Sequence, residues 1–152
     1  IEIKAPPEKV WEMLALDRWP EWMEGYKSSE YTSEVRTSKD KYRVGASAHI
    51  TVTEKPKAET EADQHREEWD FEITESLENE KITYSIRGVR GARKMIGSYT
   101  LKPTEAGTEM TFAFDYEASN PIFWILFKLY NYFKTEKDIE RALEKLKSIL
   151  EK

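Results

Sequence analysis

The chain has 152 residues, of which 39% are apolar and 35% charged, and its net charge is −5 at pH 7. This size and balance predict one soluble globular domain, and the negative charge excludes a general nucleic-acid binder, which needs a basic surface. With no Cys and only two His, disulfides, thiolate catalysis and Cys-type or His-rich metal sites are excluded as well.

Short elements are predicted at the N-terminus. Residues 1–4 alternate as a strand does, and a short helix is predicted after the double proline that follows. A second helical turn is predicted over 16–23, with Asp17 as its cap. Trp19 and Trp22 lie three residues apart in this turn and therefore share one side of it.

Alternation of apolar and polar residues then predicts about six consecutive strands. They cover residues 26–35, 42–53, 67–77, 81–87, 93–101 and 108–116, and residues 55–64 are predicted as a loop or as frayed strand ends. Short turns between most of these strands predict an antiparallel sheet that is apolar on one face. In the second of these strands Val44 has inward parity, whereas His49 has outward parity and is predicted to face solvent.

A long helix is predicted from Pro121 to the C-terminus, with Asn120 as its N-cap. Its second half, from Lys134 onward, carries the periodic apolar stripe of a surface helix. Its first half, Ile122 to Phe133, has large apolar residues on every side. Because the apolar face of the sheet needs a cover, this helix is predicted to lie across it, which gives an α+β fold.

This order of elements resembles the helix-grip fold of the START-like superfamily, also called SRPBCC. The resemblance rests on the opening strand, turn and helix (Ile1 to Trp11), the W-P-E-W turn (Asp17 to Trp22) and the last hairpin (Gly97 to Thr111). It covers nearly the whole chain and is closest to stand-alone polyketide cyclase/dehydratase-like proteins.

The resemblance implies a single ligand-binding domain over residues 1–152. In this fold a strongly curved antiparallel sheet of about six or seven strands wraps around a long C-terminal helix, with two short helices after the first strand. The resemblance also implies a deep apolar cavity between the sheet and the helix, which holds a lipophilic ligand.

Residues with inward parity are the candidates for binding this ligand, although an ordinary packed core would have the same pattern. Tyrosines among them offer an apolar ring with a polar tip. Small residues at Ala46, Ala48 and Gly97 leave room for a ligand or accommodate a neighbouring Trp. The predicted ligand-binding residues are Trp22, Ile50, Trp69, Phe71, Tyr84, Ile86, Met95, Tyr99, Phe112, Phe114, Tyr116, Trp124, Ile125, Lys128 and Tyr132.

The leading hypothesis is binding or transport of a lipid, isoprenoid, quinone or polyketide-like molecule. No nucleophile motif, metal-ligand cluster or phosphate loop is visible in the sequence, so no catalytic residue, metal or cofactor is predicted. One alternative is a cyclase/dehydratase-like enzyme in which Tyr84, Tyr99 or Tyr116 donates protons. Another is a protein- or membrane-interaction module, in which Ile122 to Phe133 forms a homodimer contact, a contact with a partner protein or a membrane-surface contact. No segment is long enough to span a bilayer, and a cytoplasmic location is the default expectation.

Overall fold

The computed structural model describes residues 1–53, 66–89, 92–118 and 121–152, apart from the side chains of residues 66, 92, 118, 123, 124 and 126–135. The predicted loop over 55–64 and the predicted N-cap Asn120 therefore lie outside the described residues. Within the described ranges the chain forms one curved sheet, a set of short helices and one long helix.

The sheet has seven strands in the described chain. They are β1 (Glu2–Ile3), β2 (Tyr26–Tyr31), β3 (Ser47–Thr53), β4 (Arg66–Leu77), β5 (Lys81–Arg87), β6 (Ala92–Pro103) and β7 (Thr108–Ala118). Their order is β1-β7-β6-β5-β4-β3-β2, and every neighbouring pair is antiparallel. Consecutive strands from β2 to β7 are thus neighbours, as hairpin connections require, and the predicted antiparallel sheet is confirmed.

The α-helices come before β2 and after β7 along the chain. Between β1 and β2 lie α1 (Pro7–Met13), a 3₁₀ turn (Leu16–Arg18) and α2 (Trp19–Trp22), and α3 (Pro121–Leu150) follows β7. α3 begins at the predicted proline and is about 45 Å long at 1.5 Å per residue. No helix in these described ranges is long and apolar enough to cross a membrane.

Two strands are shorter than predicted. The strand predicted over 26–35 ends at Tyr31, and the strand predicted over 42–53 begins at Ser47. The first prediction was wrong at the C-terminal end of its strand and the second at the N-terminal end. The residues that connect the two strands form local hydrogen bonds instead of a ladder between strands.

A 3₁₀ turn over Ser38–Lys41 lies between the two predicted strands. Thr37 and Asp40 form a capping box at its start, in which each side chain accepts a hydrogen bond from the other residue's backbone. Gly45 has a φ of +91°, which turns the chain into β3. Val44 beside it is 62% exposed, so the inward position predicted for it was wrong.

Asp17 does not cap a helix as predicted. Its carboxylate lies 2.6 Å from Lys41 Nζ and accepts a hydrogen bond from the Tyr31 hydroxyl at 3.4 Å. The side chain therefore ties the short helices to the segment between β2 and β3.

The second half of α3 closes one end of the fold. Ala142 and Leu146, which are four residues apart and share a helix face, are buried. Leu143, Ile149 and Leu150 pack against the same core, and α3 contacts α1, α2 and β7. The predicted arrangement, in which the sheet wraps around the C-terminal helix, is confirmed.

Position 97 requires a glycine because an aromatic ring occupies the space beside it. Tyr84 lies directly opposite Gly97 in the ladder between β5 and β6. A Cβ atom on Gly97 would lie 2.3 Å from the Tyr84 hydroxyl oxygen and 2.4 Å from Cζ. The glycine therefore accommodates a neighbouring ring, which is a Tyr and not the predicted Trp.

We expect Gly97→Ala to lower the free energy of unfolding by about 1–3 kcal/mol, because the Tyr84 ring must leave its place. Urea denaturation followed by circular dichroism measures this change. Thr100→Ala, at an exposed position of the same strand, is the control and should shift the midpoint little. Equal midpoints for Gly97→Ala and the wild type would show that the ring does not need this space.

Candidate functional site

A continuous row of aromatic rings lies on the inward face of the sheet. Alternate residues of a strand share a face, and the register of the strands aligns these positions across the sheet. Neighbouring ring centroids are 4.8 to 6.4 Å apart. The row runs through Tyr26, Trp69, Phe71, Tyr84, Tyr99, Phe112, Phe114 and Tyr116, and all but Tyr26 are among the predicted site residues.

Trp19 packs against the middle of this row. Its ring centroid lies 4.7 Å from that of Tyr84, 5.1 Å from Phe71 and 6.0 Å from Tyr99, each in an edge-on arrangement. The indole is buried, and its Nε1 donates a hydrogen bond to the Leu14 carbonyl at 3.0 Å. Trp19 therefore fills the interior below the central strands with a ring whose polar atom is satisfied.

Trp22, predicted as a ligand-binding residue, is also buried within the packed end. Its Nε1 donates to the Met13 carbonyl at 3.0 Å, and its ring lies 5.9 Å from Tyr99. With the side chain fully covered, Trp22 contributes to the junction of α1, α2 and the sheet.

Tyr84 and Tyr99 form a buried pair of phenols, with ring centroids 5.9 Å apart. Burial raises the pKa of Tyr84 well above its ordinary value, and the neighbouring Tyr99 adds to the shift. Burial likewise raises the pKa of Tyr99, although hydrogen bonding from Tyr84 partly offsets it. Both phenols therefore stay neutral at physiological pH and are weaker acids than a free tyrosine.

The inward face is less well covered at its other end. Tyr99 and Met110 are buried, whereas Phe112, Phe114 and Tyr116, further along β7, are only partly buried. β7 leads directly towards α3, so this partly covered end lies beside the start of the long helix. Tyr26 and Trp69, at the β2 end of the row, are partly buried as well, so the packed part of the inward face is its middle.

The remaining predicted sheet residues also lie on this face. Ile50, Phe71, Ile86 and Met95 are buried, and Trp69 is partly buried with its Nε1 donating to the Glu67 carboxylate at 2.8 Å. The structure thus brings every predicted site residue of strands β3 to β7 to the same side of the sheet.

The first half of α3 agrees less well with the prediction. Ile125 is 53% exposed and Ile122 75% exposed, so the sheet-facing position predicted for Ile125 was wrong. The prediction extrapolated a buried stripe from the far half of the helix, where α3 contacts different elements. The side chains of Trp124, Lys128 and Tyr132 lie outside the described residues.

Three inward residues of β2, Tyr26, Ser29 and Tyr31, were not predicted as site residues. Tyr26 and Ser29 are three positions apart, which in a regular strand would place them on opposite faces. A register shift between Tyr26 and Ser28 puts both on the inward face, opposite Val52 and Ile50. The only signal in the sequence was the weak alternation of this polar strand.

The outer face of the sheet carries His49 between two carboxylates, as its outward parity predicts. His49 Nδ1 lies 2.8 Å from Asp70 Oδ1, and Nε2 lies 3.5 Å from Glu68 Oε2. The hydrogen bond to Asp70 raises the pKa of His49 above its ordinary value. Over the described ranges, no group of three His, Asp or Glu side chains is placed to hold a metal ion.

A separate surface pocket of about 240 Å³ lies away from the aromatic row. The rings of Trp11 and Tyr42 stack at its wall with centroids 5.3 Å apart, and burial raises the pKa of Tyr42 to about 12. Its other lining residues are Lys39, Arg43, Val44, Ser76 and Glu78. None of these was predicted as a site residue.

The arrangement of sheet and long helix defines a helix-grip protein, and three solved structures share it. Protein CV1439 from Chromobacterium violaceum is 18% identical, with a TM-score of 0.69, and the match covers 100% of this chain and 94% of that one. Ara h 8.0201 is 12% identical, with a TM-score of 0.69 and coverage of 97% and 91%. The di-domain ARO/CYC StfQ from the steffimycin biosynthetic pathway is 14% identical, with a TM-score of 0.74 and coverage of 99% and 48%.

The chain belongs to the family described as polyketide cyclase/dehydrase and lipid transport, whose sequence profile matches residues 1–151. The predicted resemblance to the START-like (SRPBCC) superfamily, and to its polyketide cyclase-like branch, is therefore confirmed. Among curated proteins, none matches this sequence significantly.

The geometry around His49 predicts a pH-dependent contribution to stability. Because the folded chain raises the pKa of His49, the contribution is fully present below the unfolded pKa of about 6.5 and is lost as pH rises through the folded pKa. We expect Asp70→Asn to lower the pKa of His49, measured by NMR titration of its ring protons. Glu72→Gln, on the same face of β4, is the control, and an unchanged pKa in Asp70→Asn would contradict the role of this hydrogen bond.

Proposed function

We propose that this chain binds and carries a small lipophilic ligand in a cavity between the inward face of the sheet and the first half of α3. The single observation that carries the proposal is the incomplete burial of Phe112, Phe114 and Tyr116, beside a row of rings whose middle is buried. Aromatic side chains that point inward and stay partly uncovered offer a surface for an apolar ligand. A lipid, isoprenoid, quinone or polyketide-like molecule has the matching chemistry.

The energetics support a ligand at this end. Covering about 100 Å² of apolar surface contributes about 2.5 kcal/mol, before the cost of immobilising the ligand. The ring row continues from the partly covered end to buried Tyr99, so a flat ligand could stack along several rings.

The family assignment supports the same function, since its description includes lipid transport. We also propose that residues 1–152 form a single ligand-binding domain. The pairing of β1 with β7 supports this, because it joins the first strand and the last strand of the described chain in one sheet. A cytoplasmic location stays an expectation.

Proton transfer by the buried phenols has less support than binding. A general acid is most effective when its pKa lies near the ambient pH. Burial moves the pKa values of Tyr84 and Tyr99 away from that range, so these residues favour hydrogen bonding to a ligand over protonating it.

Fluorescence of N-phenyl-1-naphthylamine, a neutral apolar probe, tests the proposed cavity. We expect the full chain to enhance and blue-shift the probe's emission, and we expect Phe114→Ser to weaken binding about tenfold through lost apolar contact. The matched control is Ala113→Ser, which introduces the same residue on the opposite, exposed face of β7.

The two variants separate the proposed cavity from non-specific adsorption. If Phe114→Ser and Ala113→Ser reduce probe binding equally, the probe binds elsewhere on the surface. A wild-type chain that leaves the probe's emission unchanged would refute the proposed function.

The exposure of Ile122 and Ile125 favours a second candidate function, contact of the outer side of α3 with a membrane surface. We expect the chain to co-sediment with neutral phosphatidylcholine vesicles and Ile122→Ser/Ile125→Ser to reduce the bound fraction about threefold or more. Val44→Ser removes another exposed apolar side chain, away from α3, and is the control. A chain that stays in the supernatant would rule this candidate out.

A further inference from the structure

β2 places three hydroxyl groups on the inward face of the sheet, and the two of interest are those of Tyr26 and Ser29, since the third, Tyr31, donates to Asp17. Directly opposite residues of an antiparallel pair lie on the same face. Ser29 is opposite Ile50, and Tyr26 is opposite Val52, and both of these partners are buried. Without the register shift after Tyr26, only one of the two hydroxyls would face inward.

Neither hydroxyl forms a hydrogen bond within the part of the chain that the structure describes. Ser29 Oγ is inaccessible to solvent and has no partner there. The Tyr26 phenol is likewise without a hydrogen bond among these residues, and burial raises its pKa, so it stays a neutral donor. In contrast, Tyr31 on the same strand donates to Asp17 at 3.4 Å.

The surroundings of these two hydroxyls are aromatic. The Tyr26 ring centroid lies 6.0 Å from Trp69, 6.1 Å from Trp19 and 6.2 Å from Phe71. Glu67, which is opposite Val52, accepts the Trp69 indole N–H. An ionised ligand group would lose its hydration among these rings at a high cost, whereas a neutral group loses much less, so the surroundings favour an uncharged group.

We propose that Tyr26 and Ser29 form the polar subsite of the ligand cavity and bind an uncharged oxygen group, a carbonyl or a hydroxyl, of a lipophilic ligand. This inference rests on the proposed function and names the class of ligand. The Tyr26 hydroxyl donates to the ligand oxygen. The Ser29 hydroxyl, which rotation about χ1 moves between three staggered positions, is the second hydrogen-bonding group of the proposed subsite.

Competition experiments with three ligands of one shape test the subsite. The competitors share a three-ring frame: anthracene carries no oxygen, anthraquinone carries neutral carbonyls and anthracene-9-carboxylate carries an anion. Each is titrated against N-phenyl-1-naphthylamine bound to the full chain. We expect Tyr26→Phe and Ser29→Ala each to weaken anthraquinone binding about fivefold, as the loss of one hydrogen bond predicts, and to leave anthracene within about twofold. We expect the carboxylate to bind the wild type more weakly than anthraquinone.

Tyr31→Phe is the matched control, because it removes a phenol hydroxyl from the same strand without touching the subsite, and it should change no affinity. If Tyr26→Phe and Ser29→Ala weaken anthracene and anthraquinone equally, or weaken neither, the subsite is refuted while the cavity stands. Tighter binding of the carboxylate refutes the uncharged ligand group. If no probe binds the wild type, the proposed function and the subsite fail together.

Urea denaturation of ligand-free Ser29→Ala gives a readout independent of binding. Because the Ser29 hydroxyl has no partner to lose, we expect the unfolding midpoint to stay the same or rise. A clear fall in the midpoint would show that this hydroxyl has a structural partner, and would overturn its assignment to the ligand.

Discussion

The position of Trp19 is the constraint on which the rest of the interior depends. Its indole meets Phe71, Tyr84 and Tyr99 edge-on, and its Nε1 is held by the Leu14 carbonyl. Because a buried indole N–H without an acceptor would destabilise the core, this hydrogen bond fixes both the ring and the short helices that carry it. With Trp19 filling the space below the central strands, the less covered part of the inward face is left beside the start of α3.

The filled end also limits what the phenols can do. The Tyr84 ring occupies the space that Gly97 leaves free, beside Tyr99, and burial keeps both hydroxyls neutral. A neutral phenol can orient a ligand oxygen, but its raised pKa makes it a poor proton donor. The interior therefore combines strong apolar packing with neutral hydrogen-bonding groups, which suits the binding of an oxygenated lipophilic molecule better than acid catalysis.

Much of the fold could be predicted because periodicity reports which side of an element is buried. The strands with regular alternation, β4 to β7, and the helix that begins at Pro121 appear in the structure close to their predicted places. The sheet parity of Phe112 and Phe114 followed from the same rule. Prediction failed where local hydrogen bonds or a bulge interrupt the period, as at Gly45 and between Tyr26 and Ser28. The sheet-facing position predicted for Ile125 was also wrong. It was extrapolated from the second half of α3, and periodicity alone does not show which element a helix face contacts in another part of the helix.

The bulge in β2 connects the stability of the chain to its ligand. A buried hydroxyl without a partner lowers the stability of the ligand-free state, since it has lost water and gained nothing. For the same reason a ligand oxygen that reaches Ser29 or Tyr26 breaks no protein hydrogen bond, so the full interaction contributes to affinity. Pairing these hydroxyls with neighbouring side chains would stabilise the empty chain and weaken the discrimination between a neutral oxygen group and a bare hydrocarbon. If Tyr26 and Ser29 bind the ligand as proposed, the unpaired Ser29 hydroxyl is therefore a main source of the selectivity of this subsite.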